Sequence, residues 1–196
     1  MDGPPIALVN ARLSGVEQAP APLGTYILTR HLILLEAERE EFRARVPVAL
    51  VAPPILQLPH EPPGFEWKVP PPPIETLTHQ VLPFFVCASQ EDSGRQTEAL
   101  ANLVWTGGSW RTHFPRQLAS PAGVQTSEPL PAGAVVQLHS HARTKPFWSS
   151  TDNADEQGFL IYGVVGRIGS AAPRLLLRVG INGHWLPLRW NDVFRS

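Results

Sequence analysis

Apolar and polar residues alternate most regularly in "FRARVPV", residues 42–48. In an extended chain this pattern sets Phe42, Ala44 and Val46 on one face and Arg43 and Arg45 on the other. The preceding run from Tyr26 to Leu35 is rich in β-forming residues. Together they predict two or three strands before the first proline cluster. A helix over "LILLEAEREEFRARV" is the competing expectation, because Leu, Glu, Ala and Arg all favour helices. Strands are preferred.

The alternation ends in a proline-rich stretch. Ten of the 22 prolines lie between Pro47 and Pro73. Proline removes a backbone donor and restricts the residue before it, so this stretch is expected to be extended and to form neither a helix nor a central strand. Its interleaved Ile55, Leu56, Leu58, Phe65 and Trp67 predict packing along a surface. The expected organisation is a small β-rich N-terminal region (1–51), a proline-rich connector (52–73) and a main domain (74–196).

Helical spacing appears next. Pro73 suits a first helical position, Glu75 a first turn, and Ile74, Leu77 and Val81 recur on one face, with Pro83 expected to kink or end the helix. "EDSGR" reads as a loop. "TEALANLVWTGGSWRTHFPRQ" reads as a hairpin turning at Gly107-Gly108. "AGAVVQLHSH" is a short apolar strand that ends in histidines, and "SSTDNADEQ" begins a helix. "FLIYGVVGRIG" and "RLLLRVGINGHWLPLRW" supply three more strands, the last two joined by Asn182-Gly183. Irregular alternation of strands and helices gives an α/β or α+β fold.

Composition narrows the function classes. A net charge of −1 shows no overall pull toward nucleic acid or an acidic membrane. The single cysteine, Cys87, allows neither an internal disulfide nor a cysteine-rich zinc site, and its apolar neighbours suggest a core position. The N-terminus lacks the basic and apolar regions of a secretory signal, and the apolar runs are too short to span a bilayer. A soluble cytoplasmic protein is expected.

The chemistry concentrates in "LHSHARTKPFWSSTD", residues 138–152. His139 and His141 are two apart at a strand end, so both rings project from one face. Ser149 and Asp152 are three apart where a helix begins, and they also share a face. If the intervening loop returns to the strand end, two imidazoles and a carboxylate meet, which is the three-ligand, one-open-position arrangement of a catalytic zinc. The plainer alternatives are a hydrogen-bonding strand histidine and a Ser-x-x-Asp capping box. Phe147 and Trp148 either line a groove or pack. His113 and His184 lack a ligand-spaced partner, and Asp155 and Glu156 read as charges at a helix N-terminus.

"GAVVQLHSH" resembles the opening of the cupin motif, but Lys145 and Pro146 stand where that motif needs a glutamate, and its later histidine motif is missing. A second resemblance holds throughout. His139-x-His141, seven residues, Ser149, two residues and Asp152 resemble the JAMM signature of the JAB/MPN zinc metalloproteases. "EAL…W", "FPRQ" and "DVF" make the region from 74 onward most similar to prokaryotic JAB proteins, among them those of plasmid-associated PRTRC systems. The resemblance implies a mixed β-sheet flanked by helices, and zinc held by His139, His141 and Asp152. It also implies that Ser149 hydrogen-bonds an oxyanion or positions the metal-bound water. The family further needs an upstream glutamate, for which Glu98 fits best; Glu91 and Glu128 are the alternatives. The implied activity is hydrolysis of an amide or isopeptide bond at the tail of a ubiquitin-like protein, with an E1-like protein as a possible co-encoded partner. A catalytically silent MPN-type scaffold for protein–protein interaction is the other expectation.

Overall fold

A computed structural model describes residues 7–10, 24–89, 97–120 and 123–196. The fold is mixed α+β and divides into two compact units. The first takes residues 1–69, 154–159 and 179–186; the second takes 70–153, 160–178 and 187–196.

In the first unit the alternating segment is a strand, as its pattern predicts. A five-stranded sheet runs in sequence order: β1 (Ala7–Asn10), β2 (Thr25–Leu28), β3 (Leu32–Glu38), β4 (Phe42–Leu50) and β5 (Gly64–Trp67). Phe42, Ala44 and Val46 are buried on one face of β4, and Phe42 packs against Phe65, Trp67 and Phe159. On the other face Arg45 reaches Glu36 at 2.7 Å and Glu61 at 2.5 Å. The proline-rich stretch departs from expectation at its start. Pro47 lies within β4, paired with Leu34, yet β5 covers only Phe42–Arg45. Beyond Arg45 the strand is an edge on that side, where a missing N–H costs nothing, and the β3 register shifts beside it. The connector region also contributes β5 itself and buries Leu58, while Leu56 is exposed.

In the second unit a helical run starts directly after Pro73. A π-helical segment (Thr76–Val81) continues into α1 (Leu82–Ala88), burying Leu77, Val81 and Phe85 on one face. Pro83 does not end the helical run; it falls in the first turn of α1, where the hydrogen bonding changes from π to α. Cys87 is exposed rather than core, because it lies off the Leu77–Val81–Phe85 stripe.

A six-stranded sheet follows, ordered β13-β12-β11-β10-β6-β7. It comprises β6 (Leu100–Thr106), β7 (Ser109–His113), β10 (Ala134–Ser140), β11 (Leu160–Gly166), β12 (Arg174–Ile181) and β13 (His184–Leu188). Gly107 and Gly108 turn the β6–β7 hairpin with φ of 60° and 80°, and Asn182-Gly183 turns the last one with 48° and 78°. A separate ribbon pairs β8 (Gln117–Ser120) with β9 (Gly123–Thr126). β10 is parallel to β11 and antiparallel to β6, and all of β11 is buried. Such central strands read as continuous apolar runs because both faces are covered. No helix among the described residues is long and apolar enough to cross a membrane.

Candidate metal centre

The β10 strand delivers the histidines. His139 pairs with Leu100 of β6 and Val164 of β11, and His141 follows at the strand end with its N–H donated to the Val165 carbonyl. Residues two apart on a strand share a face, and here their rings converge, with Nε2 atoms 3.2 Å apart. After His141 the chain reverses sharply. Ala142 takes a φ of 45°, and Thr144 bonds back to the His141 carbonyl through both its N–H and its hydroxyl. The loop then passes over the end of β11, accepting the N–H groups of Arg167 and Ile168. Gly166 permits this: any Cβ there would collide with the backbone of Thr144 and Pro146.

The loop ends at α2 (Ser150–Asp155). Ser149 and Asp152 form the reciprocal capping pair that Ser-x-x-Asp suggests: the Ser149 N–H donates to Asp152 Oδ2 at 2.7 Å, and the Asp152 N–H donates to Ser149 Oγ at 3.0 Å. The capping reading and the ligand reading are therefore compatible. Ser149 Oγ accepts within the cap and retains its own proton to donate, and Asp152 Oδ1 stands 3.3 Å from His139 Nε2. Asp155 and Glu156 fall at the end of α2 rather than its start, because the helix is only six residues long; Glu156 is buried.

His139, His141 and Asp152 form a group able to hold a metal ion, with one ligand atom from each all within 4.8 Å of one another. A tetrahedral zinc with bonds of ~2.0–2.1 Å needs donors about 3.3 Å apart. The Nε2–Nε2 and His139 Nε2–Asp152 Oδ1 separations, 3.2 and 3.3 Å, match that spacing, and His141 Nε2 lies 3.8 Å from the other Asp152 oxygen, Oδ2.

Glu98 belongs to this cluster, with Oε1 3.9 Å from His141 Nε2. Glu128 does not; it faces His113 at 3.6 Å and Arg116 at 3.9 Å. Glu91 lies outside the described residues. The segment carrying Glu98 is clamped at three points. Thr97 Oγ1 donates to the Ala88 carbonyl at the end of α1, and the side-chain amide of Gln117 bonds both backbone groups of Leu100. Fully buried Ser140 accepts the Ala99 N–H at its Oγ and donates its own N–H to the Ala99 carbonyl. Ser140 thus ties the strand of the two histidines to the residue after Glu98.

Electrostatics separates the two carboxylates. Burial, reinforced by the charge on Asp152 and opposed by His139, pushes Glu98 up from 4.5 to about 7. Burial also works against Asp152, but hydrogen bonds from His139 and the Ser149 N–H, with the charge of His139, outweigh it and hold that carboxyl well below the ordinary range. His141 is lowered, first by burial and then by His139, against the pull of Asp152. One carboxyl is thus held in its anionic form, while burial keeps the pKa of its neighbour near neutrality.

Arg178 was not signalled by any motif. Its guanidinium lies 3.8 Å over the Trp148 ring and donates to Asn153 Oδ1 at 2.8 Å, bracketing the Ser149–Asp152 turn from both sides. Trp148 is therefore a packing residue. Phe147 is 54% exposed and sets its ring edge against His141, with centroids 4.6 Å apart. His113 Nε2 lies near Glu128, away from the cluster.

The fold and site together define a mixed α+β protein with a group of two histidines and an aspartate that could hold a metal ion. No protein-family model matches the chain, and no curated protein matches it.

Proposed function

We propose that this chain is a zinc-dependent peptidase or isopeptidase of the JAMM type, hydrolysing an amide bond with an activated water. The observation that carries this reading is the position of Glu98, 3.9 Å from His141 Nε2 and so beside a His139–His141–Asp152 group able to hold a metal ion. Zinc, when bound, supplies a Lewis acid that polarises a carbonyl and makes water easier to deprotonate.

The rest of the work falls to the chain's own groups. Glu98 Oε1 takes the proton of the attacking water and passes it to the leaving amine, a task suited to a carboxylate held 3.9 Å from His141 Nε2. Ser149 Oγ donates its proton to the oxyanion that develops on the carbonyl oxygen, its lone pair being engaged by the Asp152 N–H. The clamps at Thr97, Ala99 and Leu100 keep Glu98 from moving away between the two transfers. The flexible tail of a ubiquitin-like protein is the substrate class that the resemblance favours, with an E1-like protein as a co-encoded partner.

Elemental analysis tests the metal. Near-stoichiometric zinc in the purified protein, lost in His139→Ala, is the expected result; absence of zinc, or bound iron retained in Asp152→Ala, overturns it. Glu98→Gln is expected to keep zinc and lose hydrolysis, and full activity in that variant would remove Glu98 from its role.

A further inference from the structure

A second cavity adjoins the candidate centre within the same compact unit. It encloses about 310 Å³ and is lined by Phe84, Cys87, Ala88, Phe114 and Pro115, with Glu98 in its wall. Phe84 and Phe114 stack with centroids 4.1 Å apart, leaving Phe114 38% exposed. Arg116 stands at the edge with its side chain 96% exposed, its approach to Glu128 being a long 3.9 Å. A cavity of about 310 Å³ lies at the small end of the roughly 300–1,000 Å³ range of ligand pockets and has room for one large apolar side chain.

Glu98 faces both the metal-binding group and this cavity. A carboxylate that hands a proton to a leaving amine must lie beside that amine. The substrate residue that carries the amine is therefore the one nearest the cavity. We propose that the cavity is a specificity pocket for an apolar side chain on the amine-leaving half of a peptide substrate, with Arg116 selecting a carboxylate on the following residue. This rests on the reading of Glu98 as the proton carrier. It adds a substrate preference: Leu or Phe immediately after the scissile bond, followed by Asp or Glu.

The test uses the full chain loaded with zinc and peptides that differ only after the scissile bond. Leu is expected to exceed Gly in kcat/KM by ~10–100-fold, the discrimination an apolar pocket provides. Cys87→Trp, at an exposed position whose side chain fills the cavity, is expected to bring that ratio toward one. Arg116→Glu is expected to reverse the preference for Asp over Lys at the next position. Anisotropy of a labelled product peptide beginning Leu-Asp provides a readout independent of turnover, and binding should weaken in Cys87→Trp. Cleavage that ignores both side chains and both substitutions overturns the pocket while leaving the hydrolase reading intact. Product-peptide binding sensitive to Cys87→Trp, with no peptide cleaved, supports the pocket and overturns the hydrolase reading. Neither binding nor cleavage overturns both.

Discussion

Replacing Glu98 by Gln should stabilise the metal-free protein at alkaline pH and leave it unchanged in acid. The substitution keeps the side chain's size and removes only its charge. Glu98 is raised from 4.5 to about 7 chiefly by burial, with the Asp152 charge adding to it and His139 opposing it. The folded state therefore holds the Glu98 proton more tightly than the unfolded chain. Unfolding releases that proton between 4.5 and about 7, so the Glu98 contribution to stability falls as pH rises through this window and is level above it. The gap corresponds to a ceiling of ~3.4 kcal/mol. Its side chain retains some exposure, 16%, and solvent screening brings the expected loss to about 1–3 kcal/mol.

His141 titrates nearby with the opposite sign. Its folded-state pKa is lowered, so its contribution is complete above the unfolded value of 6.5 and is lost as pH falls through the lowered folded value. The two slopes partly cancel in the wild-type chain, and only the difference between wild type and Glu98→Gln isolates the carboxyl. Urea unfolding in a chelator, from about pH 4 to about pH 8, measures it. The curves should coincide at the acid end and separate by about 1–3 kcal/mol in favour of Gln at the alkaline end. In saturating zinc the separation should shrink, because a neighbouring cation favours the carboxylate. A constant difference across pH, or a less stable Gln variant at about pH 8, would refute the assignment of burial as the dominant cause.

Three further substitutions probe the supports of the site. Ser140→Ala leaves the buried Ala99 N–H without its acceptor and should cost ~1–3 kcal/mol in denaturant unfolding, with zinc retained but turnover reduced; Ser140→Thr should recover part of both. Gly166→Ala forces the Thr144–Pro146 loop off β11 and should cost ~1–3 kcal/mol, measured by the urea midpoint. Arg178→Met keeps an apolar stem but loses the Trp148 and Asn153 contacts, and it should weaken zinc roughly 10–100-fold in a chelator competition, as loss of an orienting neighbour does.

What was legible in the sequence follows the range of the interaction. Alternation in Phe42–Val46 and the Gly107-Gly108 and Asn182-Gly183 turns are local, and each element forms where its pattern puts it. The spacing of His139, His141, Ser149 and Asp152 encodes a strand end, a reversing loop and a helix start, so one stretch carries most of the cluster. Pro47 stands in a strand that the proline content argued against, because proline is harmful only where its missing donor is needed, and pairing decides that. The clamps around Glu98 and the Arg178 bracket on the Ser149–Asp152 turn leave no sequence signal for a different reason. Ser140 reaches back 41 residues to Ala99, Gln117 reaches 17 to Leu100, and Arg178 reaches 25 to Asn153; none belongs to a motif with fixed spacing.

The cost of this arrangement is the physical reason to prefer a metal-dependent hydrolase over an interaction scaffold. Two carboxylates and two imidazoles converge within a few ångströms at a largely buried strand end, and three separate clamps hold the backbone of one carboxylate there. Without a cation, Glu98 resists ionisation and the two Nε2 atoms face each other at 3.2 Å. A scaffold gains nothing from such crowding, and apolar side chains at these positions would stabilise it more. A divalent cation would reverse the balance, since His139, His141 and Asp152 could each give it one ligand atom and its charge would ease Glu98 toward the charged form. On this reasoning the zinc-loaded protein should unfold at a markedly higher temperature than the chelated one, by the equivalent of ~4 kcal/mol when zinc exceeds its dissociation constant a thousandfold. The gain should vanish in His139→Ala and persist in Glu98→Gln. A zinc-insensitive wild-type melting temperature would leave the crowding unexplained and the hydrolase reading without its physical basis.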